Sequence, residues 1–459
     1  MDPAHASSAE ISLRSIVPSG VDATADSPMS VLLAGKPLVA KSTNATTAFY
    51  RIKATDDSPE MSIQVSLFVA RPPLVSHVVV WPKGGYFTDE PFIHSTHGGL
   101  ILLSMAMRTK TCPFPEYYIY QPGCGHGGAD APSLELVPQF LGSSLVDEPR
   151  VVGLLSHGDR GGYYVAVLSK LGKGEFELYL FCSKMATWTI KKPLFLLEDG
   201  RELLEDGDVD FMPNNKVITV GGGVLAFVDL TKGILIGDVL EDSPEFYYIP
   251  LPSEFCQPWT NYPSQTRDVS INVSLDGTIR IKFIELFCPI TLGAWAATTW
   301  ITAAAATSPW QRLYEWDEHC RLEARELILG DGVSTAELLP EGLEFNGELN
   351  FGFLFVDMPM LSLDEDNIVC FLAKHHYLGW QVWVIAVDMV TKKLLGVHHL
   401  QMGRFPILFY STISSHLNMS DTASGVEGDL EQLKTHPQSN PSNEASAAAA
   451  STHAVVRRR

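Results

Sequence analysis

Between residues 216 and 250 the chain alternates between apolar runs and short polar turns. The runs and turns are Lys216 to Val220, Gly221-Gly222-Gly223, Val224 to Leu230, Thr231-Lys232-Gly233, Ile234 to Leu240, Glu241-Asp242-Ser243-Pro244 and Phe246 to Ile249. Turns as short as these join only antiparallel neighbours. The pattern therefore predicts a meander of four antiparallel strands, with the glycine triplet as a hairpin turn.

The predicted strands are apolar on both faces. In Val224 to Leu230, one face carries Ala226 and Val228 and the opposite face carries Leu225 and Phe227. The same two-sided character recurs in Tyr163 to Leu168, Phe176 to Phe181 and Val382 to Val387. A sheet with one wet face would alternate strictly, so these strands require cover above and below. Antiparallel sheets stacked face to face around a ring, as in a β-propeller, supply that cover.

A weak internal repeat is compatible with this architecture. Residues 228–237 and 387–396 both read as strand, aspartate, Thr-Lys turn and strand, and residues 178–190 form a looser third copy. Turn chemistry alone can also produce such units, so both interpretations stay open.

Strand-like units occur near residues 61–80, 92–137, 151–196, 216–250, 267–316 and 361–402. We expect an all-β fold, a β-propeller-like ring of about six antiparallel four-stranded sheets with few short helices. A short helix is expected over Glu318 to Leu329. The domain is expected to span residues 28–417, with disordered, low-complexity segments at 1–27 and 418–459.

Composition excludes some functions. The chain has 459 residues, of which 46% are hydrophobic, so it can bury a large core. Acidic residues outnumber basic ones 53 to 33, a formal charge of −20. Nonspecific nucleic-acid binding depends on Lys and Arg, so we expect no nucleic-acid partner.

Cysteine usage and the missing secretory pattern bear on the compartment. The seven cysteines, at 112, 124, 182, 256, 288, 320 and 370, include no Cys-x-x-Cys pair, which is typical of reduced thiols. Residues 1–30 lack a basic-then-apolar signal segment, so we expect a cytoplasmic or nuclear protein. The uncharged stretch from Leu286 to Gln311 is long enough to span a bilayer. However, it is rich in Thr and Ala, and Pro289 and Pro309 bracket it, so a buried strand around Ala296 to Ile301 is favoured over a membrane span.

Several separate segments resemble one known family. They are Lys216 to Gly223, Ile279 to Phe283, Ala297 to Trp300, Leu361 to Leu363, Trp383 to Asp388 and Ser411 to Ser414. In this order they are similar to the plant domain-of-unknown-function 1618 family, over roughly Pro72 to Ser415. The resemblance implies a plant protein whose family has no assigned chemistry, and hence no functional residues to transfer. Some relatives look similar to the propeller-like domains that follow F-box segments, but residues 1–60 show no F-box-like helical pattern.

Two glycine-rich or acidic segments are weak candidates for ligand loops. The triplet Gly221-Gly222-Gly223 lacks the Gly-Lys-Ser/Thr ending of a P-loop and precedes a predicted strand, so it is interpreted as a turn. Asp206-Gly207-Asp208-Val209-Asp210 resembles the start of a calcium loop, but Phe211 and Val217 stand where glycine and glutamate are needed.

The histidine and cysteine motifs are equally incomplete. Cys124 and His126 have no second ligand pair for zinc. Adjacent histidines on a strand, as in His375-His376 and His398-His399, point to opposite faces and cannot chelate together. The segment His97-Gly98-Gly99 is similar to an esterase oxyanion-hole segment, but the chain has no Gly-x-Ser-x-Gly nucleophile elbow. No catalytic, metal-binding or cofactor-binding residue is therefore predicted, and no cofactor.

Two classes of function remain. The first is a noncatalytic protein-interaction or scaffold module with an unknown protein partner, no nucleic acid and no membrane. The alternative is a small-ligand-binding or enzymatic propeller that uses the central channel. We favour the first, because no dense cluster of His, Asp, Glu and Arg recurs at equivalent strand positions. The three C-terminal arginines, Arg457 to Arg459, do not decide whether the protein enters the nucleus.

Overall fold

The fold is taken from a computed structural model. It describes residues 29–52, 61–107, 115–123, 131–139, 151–157, 162–172, 175–197, 201–202, 211–212, 215–252, 262–288, 295–304, 315–330, 339–340, 343–345, 348–375, 379, 381–400 and 406–417. The chain divides into two units, Met1–Gly425 and Val426–Arg459, and every described residue lies in the first unit.

Within these residues, six small sheets form the ring of a six-bladed β-propeller. Blade 1 contains β1 (Val31–Ala34), β2 (Leu38–Val39), β3 (Ala48–Ile52), β4 (Met61–Phe68) and β5 (Val75–Lys83). Blade 2 contains β6 (Phe92–His97), β7 (Leu100–Met105), β8 (Glu116–Gln121) and β9 (Ser133–Leu136). Blade 3 contains β10 (Gly153–Ser156), β11 (Tyr163–Gly172), β12 (Glu175–Cys182) and β13 (Thr187–Lys191).

Blade 4 contains β14 (Leu194–Leu196), β15 (Lys216–Gly221), β16 (Val224–Asp229), β17 (Gly233–Asp238) and β18 (Glu245–Pro250). Blade 5 contains β19 (Arg267–Val273), β20 (Ile279–Phe287), β21 (Ala296–Ala304) and β22 (Asp317–Glu323). Blade 6 contains β23 (Ile328–Leu329), β26 (Phe355–Leu361), β27 (Ile368–Lys374), β28 (Val382–Asp388) and β29 (Lys393–Leu400). A hairpin of β24 (Glu344–Phe345) and β25 (Glu348–Leu349) precedes β26, and β30 (Leu408–Ser411) returns to blade 1. The described helices are short 3₁₀ turns, which include Pro263–Gln265, Ala324–Glu326, Phe351–Phe353 and Thr412–His416.

The predicted meander is confirmed as β15 to β18 of blade 4, with antiparallel pairing throughout. The glycine triplet forms the hairpin turn between β15 and β16. Backbone φ is +115° at Gly221, +61° at Gly222 and +98° at Gly223, values that side-chain-bearing residues rarely adopt. The turn therefore requires glycine for its backbone conformation.

Both faces of the strands are buried, as the sequence predicts. In β16, Leu225 and Phe227 pack in the core between blades 3 and 4, whereas Ala226 and Val228 pack in the core between blades 4 and 5. All four side chains are fully buried. Stacking of neighbouring blades thus supplies the cover on each face.

The two ends of the described chain close the ring within one sheet. In blade 1 the strand order is β3-β4-β5-β1-β30, with β2 beside β5. Val31 pairs antiparallel with Ser411, and Leu32 pairs parallel with Val75. The sequence pattern placed this blade near residues 61–80 and missed both closing strands.

The predicted helix over Glu318 to Leu329 is wrong. This segment contains β22, a single 3₁₀ turn and β23. β22 pairs with β21 over six positions, and Leu322 is fully buried. Ladder hydrogen bonds and this burial outweigh the weak helix preference of a charged sequence.

The internal repeat does not mark a fixed position in the blades. Asp229 ends β16 and leads from the second to the third strand, whereas Asp388 ends β28 and leads from the third to the fourth. In each turn the carboxylate accepts a hydrogen bond from an amide two residues later, at 2.9 Å from Thr231 N and 2.9 Å from Val390 N. The common feature is therefore an Asx turn.

The predicted strand at Ala296 to Ile301 is confirmed as part of β21. Within the described ranges, no helix is long and apolar enough to cross a membrane. The predicted disordered segments at 1–27 and 418–459, including Arg457 to Arg459, lie outside the described residues.

Candidate functional site

The first candidate site is the inner circle of strands around the ring axis. One strand of each blade lies next to its counterpart in the neighbouring blade. These inner strands are β6, β10, β15, β19, β26 and β30. In many propellers ligands bind where such strands converge, so the polar groups here decide what the centre can do.

Polar contacts join each blade to the next, and we call this set of contacts the inner belt. Blades 1 and 2 are joined by the Thr96 and Ser411 hydroxyls, 2.8 Å apart. The Thr219 hydroxyl of blade 4 donates to the Leu154 carbonyl of blade 3 at 2.7 Å. Between blades 6 and 1, where the ring closes, the Cys370 thiol and the Tyr410 hydroxyl lie 3.1 Å apart. Each of these side chains therefore makes its hydrogen bond to a group of the neighbouring blade.

Asp268 is the junction of three blades in the inner belt. Its Oδ1 accepts from Lys216 Nζ of blade 4 at 2.9 Å, and its Oδ2 accepts from the Leu361 amide of blade 6 at 3.0 Å. Lys216 Nζ also donates to the Val269 carbonyl at 2.9 Å. The charges are thus paired with one another, and the pair serves to hold the blades together.

His97 completes the belt between blades 2 and 3. The Ser156 amide donates to His97 Nδ1 at 3.0 Å, so the neutral imidazole carries its proton on Nε2. Burial lowers the pKa of His97, and the charge of His416 lowers it further. Since the bond involves the Ser156 amide, it does not activate the Ser156 hydroxyl as a nucleophile.

The glycines that follow His97 form the turn between β6 and β7. Their φ values are +55° at Gly98 and +82° at Gly99, as in a two-residue hairpin turn. A Cβ added at Gly98 would lie 1.9 Å from the Ser156 Oγ. The similarity of this segment to an esterase motif therefore reflects turn geometry and close packing.

The second candidate site is an irregular part of the inner strand β26. Asp357 pairs with Leu372 and Met360 pairs with Cys370, so β26 contains one more residue than β27 over this span. Met358 within this bulge has φ +47° and is buried. Bulges and positive φ at a non-glycine residue concentrate at functional sites.

Asp357 is the unusual group at the bulge. Its Oδ2 accepts from Lys374 Nζ at 3.0 Å, whereas Oδ1 is buried and has no hydrogen-bond partner among the described residues. Burial raises the pKa of Asp357, although the neighbouring Lys374 opposes that shift. A carboxyl group held in this way has one oxygen available to a ligand or an internal water.

Cys288 follows β20 of blade 5 and lies close enough to Asp357 for the charge of that carboxylate to affect the pKa of the thiol. Burial is the main cause that raises the pKa of the Cys288 thiol, and the charge of Asp357 raises the pKa further. The hydrogen bond from the Val356 amide to the sulfur acts in the opposite direction and lowers the pKa. A thiol with a raised pKa stays protonated and is a poor nucleophile. The arrangement fits hydrogen bonding better than covalent catalysis, and the described residues contain no group of three or more His, Cys, Asp or Glu side chains suited to a metal ion.

A comparison with family models identifies the segment that contains most of these groups. Residues 227–370 match the family described as "Protein of unknown function (DUF1618)". The family resemblance is thereby confirmed over this segment. Asp268, Cys288 and Asp357 all lie within the DUF1618 match, whereas Lys216 and Lys374 lie just outside it. No curated protein sequence matches the chain.

Solved structures similar to the chain are remote. TolB from Acinetobacter baumannii is 10% identical, with 79% of this chain and 66% of TolB covered and a TM-score of 0.31. The subtype N11 neuraminidase-like protein of A/flat-faced bat/Peru/033/2010 (H18N11) is 9% identical, with 60% and 97% covered and a TM-score of 0.25. Penicillium chrysogenum alpha-L-arabinanase, complexed with arabinobiose, is 10% identical, with 68% and 92% covered and a TM-score of 0.26. The chain thus spans just under two thirds of the length of TolB. TM-scores this low support no inference about the function of this chain.

The remaining sequence motifs do not meet at either site. His399 stacks on Trp383 with ring centroids 4.9 Å apart, while His398 acts electrostatically on His77 of blade 1. The two adjacent histidines therefore contact different neighbours, because successive side chains on a strand point to opposite faces. Asp206 to Asp210, Cys124, His126 and His376 lie outside the described residues.

Sequence reasoning missed the Asp357 site, although one signal was present. Pro359 lies within the mostly apolar segment Phe355 to Leu361, and proline within a strand is typical of a bulge or an edge strand. The hydrogen bond between the side chains of Lys374 and Asp357 had no such signal in the sequence, because it depends on the register between β26 and β27.

Proposed function

We propose that the protein is a noncatalytic protein-interaction or scaffold module of a plant cell. The inner belt is the observation that carries this proposal. Its polar side chains bond to neighbouring blades, which fits a role in holding the ring together. A stiff ring can present surface loops and strand edges in fixed positions, as recognition requires.

Charge and thiol chemistry support the same proposal. A formal charge of −20 favours partners with basic surfaces through long-range attraction. The described cysteines Cys182, Cys288, Cys320 and Cys370 are free thiols, in keeping with a cytoplasmic or nuclear location.

The test is capture of partners by the full chain from plant cell extract, followed by cross-linking mass spectrometry. We expect a protein that is recovered in near-stoichiometric amount at about 0.15 M salt, with cross-links confined to loops and blade edges and weakened recovery at higher salt. Chain prepared in parallel and unfolded by heat is the control. Recovery of no such protein by the folded chain would contradict the proposal.

The Asp357 bulge favours a second candidate function, binding of a small ligand near the ring axis. A ligand with an N–H or O–H donor would satisfy Asp357 Oδ1, which is buried without a partner among the described residues. Native mass spectrometry of the purified chain should then show an added small mass that is lost in Asp357→Asn. The matched control is Asp388→Asn, which changes a turn carboxylate of the same blade. An unmodified mass for the wild-type chain would count against this second function.

A further inference from the structure

The outer edges of the blades are covered to different degrees. In blade 4, the short apolar strand β14 runs parallel to β18, and in blade 6 β23 runs parallel to β29. The Leu194 amide donates to the Pro244 carbonyl at 2.9 Å, and the Ile328 amide donates to the Lys392 carbonyl at 3.0 Å. The molecule thus shows what covers such an edge, namely two or three apolar residues added as a parallel fifth strand.

The outer strands of blades 2 and 5 are protected in other ways. β9 of blade 2 lies against β3 of blade 1. β22 of blade 5 has a register shift opposite Thr299 and Trp300, and its seven residues include Asp317, Glu318 and Arg321. Irregular pairing and charge are the usual means by which proteins prevent pairing at a sheet edge.

β13 of blade 3 has neither the register shift nor the series of charged residues found in β22, although its Trp188 indole donates to the carbonyl of Pro138, just beyond β9 of blade 2, at 3.0 Å. It pairs with β12 over five consecutive positions without a register shift, and the described strand order of blade 3 ends at β13. Thr187, Thr189 and Ile190 are exposed, Ile190 by 60%, and such β-branched residues favour extended strands. The strand is therefore regular, uncharged over these positions and suited to accept another strand.

The one charged side chain of β13 is directed to the neighbouring blade. Lys191 Nζ donates to the carbonyls of Val239, Leu240 and Glu241 at 3.1, 3.0 and 2.7 Å. A lysine that extended from an edge strand would discourage pairing, but these three bonds hold the ammonium on the turn between β17 and β18. Within Thr187 to Lys191, no charged side chain therefore extends from the edge to discourage pairing, and the next charge is the exposed Lys192.

We propose that the outer edge of β13 binds an extended apolar segment of a partner protein as a parallel fifth strand. The occupant resembles Leu194-Phe195-Leu196 of β14, with main-chain hydrogen bonds to β13 and an apolar side chain that covers Ile190. This proposal rests on the proposed interaction function and specifies its surface and the chemistry of the partner segment.

Hydrogen exchange followed by mass spectrometry on the full chain tests this edge. The probe is a peptide with the sequence of residues 192–197, acetylated, amidated and flanked by lysines for solubility, at up to about 1 mM. We expect exchange over residues 187–191 to slow at least about fivefold and saturably, because edge amides gain main-chain partners. A probe with proline in place of its phenylalanine should have no effect.

Two variants provide the matched comparison. Ile190→Lys should abolish the protection by the probe without lowering the melting temperature, because Ile190 is mostly exposed. Leu395→Lys should retain the protection, because Leu395 is also exposed, by 42%, but lies in β29, whose edge β23 already covers.

Three results would overturn the proposal. The first is equal protection by the probe in wild type and Ile190→Lys. The second is strong protection of residues 187–191 in the isolated monomer, which would mean that the chain itself covers the edge. The third is protection that requires high protein concentration together with a doubled mass, which would assign the edge to a second copy. If the probe fails but the full chain still captures a stoichiometric partner, only the β13 assignment is wrong and the interaction function stands.

Discussion

Asp268 provides the sharpest test of the inner belt. Replacement by alanine removes two charge-assisted hydrogen bonds, one from Lys216 and one from the buried amide of Leu361. Each such bond is worth about 1.5–3 kcal/mol, and a buried amide left unsatisfied costs about 1–3 kcal/mol. Lys216 keeps its bond to the Val269 carbonyl and its side chain is 30% exposed. The cost of losing the bond between Lys216 and Asp268 therefore lies at the lower end of the range for one such bond. We expect Asp268→Ala to reduce the free energy of unfolding by about 3–5 kcal/mol.

A graded series of variants separates the belt from a generic loss of charge. Asp268→Asn keeps one acceptor oxygen but replaces the other with a donor, so it should cost about 1.5–3 kcal/mol. The control is Glu90→Gln, which breaks the exposed Lys36–Glu90 pair at 2.8 Å, with side chains 36% and 44% exposed. Exposed pairs contribute little, so this change should cost less than about 0.5 kcal/mol.

The assay is urea unfolding at pH 7, followed in parallel by tryptophan fluorescence and far-ultraviolet circular dichroism. Coincident transitions are required before free energies are compared, because a chain of this size can unfold through intermediates. If Asp268→Ala and Glu90→Gln shift the unfolding free energy by amounts within about 1 kcal/mol of each other, the belt does not hold the blades together.

Three further predictions concern the turn, a buried histidine and the fifth strand of blade 4. Gly223→Ala should destabilise by about 2–4 kcal/mol in urea unfolding, because its Cβ would lie 2.4 Å from Asp238 Oδ1 and would displace that oxygen from the Leu240 amide, which donates to it at 2.8 Å. Gly222→Ala has open space around the Cβ and should cost only the backbone strain of about 1–2 kcal/mol. Equal costs for the two variants would contradict the role of the displaced carboxylate. Burial lowers the pKa of His77 to about 4, with a smaller effect from the charge of its neighbour His398, so the unfolded chain binds more protons below about pH 6.5. Stability should therefore fall by up to about 3 kcal/mol between pH 6.5 and 4, and His77→Asn should flatten this dependence; an unchanged slope in the variant would refute the assignment. Phe195→Ala should cost about 3–5 kcal/mol, because this side chain is 1% exposed within the core between blades 3 and 4, and a loss below about 1 kcal/mol would show that β14 contributes little.

The meander of blade 4 was predictable because its information is local. Its turns are short, and the glycine triplet specifies a backbone that other residues resist. Apolar residues on both faces of β16 likewise predicted stacked sheets, since each face has its own periodic set.

The candidate sites were not predictable in the same way. Asp357 and Lys374 are 17 residues apart, and their contact depends on the register of β26 against β27. Asp268 and Leu361 are 93 residues apart and lie in different blades. No local pattern encodes such pairs, and the raised pKa of Asp357 follows from burial that only packing creates.

The sequence by itself determined the all-β class, the two-sided burial and the positions of the tightest turns, because these depend on side-chain alternation and backbone preferences over a few residues. The tertiary structure decided that Val31 pairs with Ser411, that Asp317–Glu323 is a strand and that β13 keeps an uncovered edge among the described residues. These outcomes depend on hydrogen-bond partners and buried contacts between segments far apart in the chain. Only the folded ring brings those segments together.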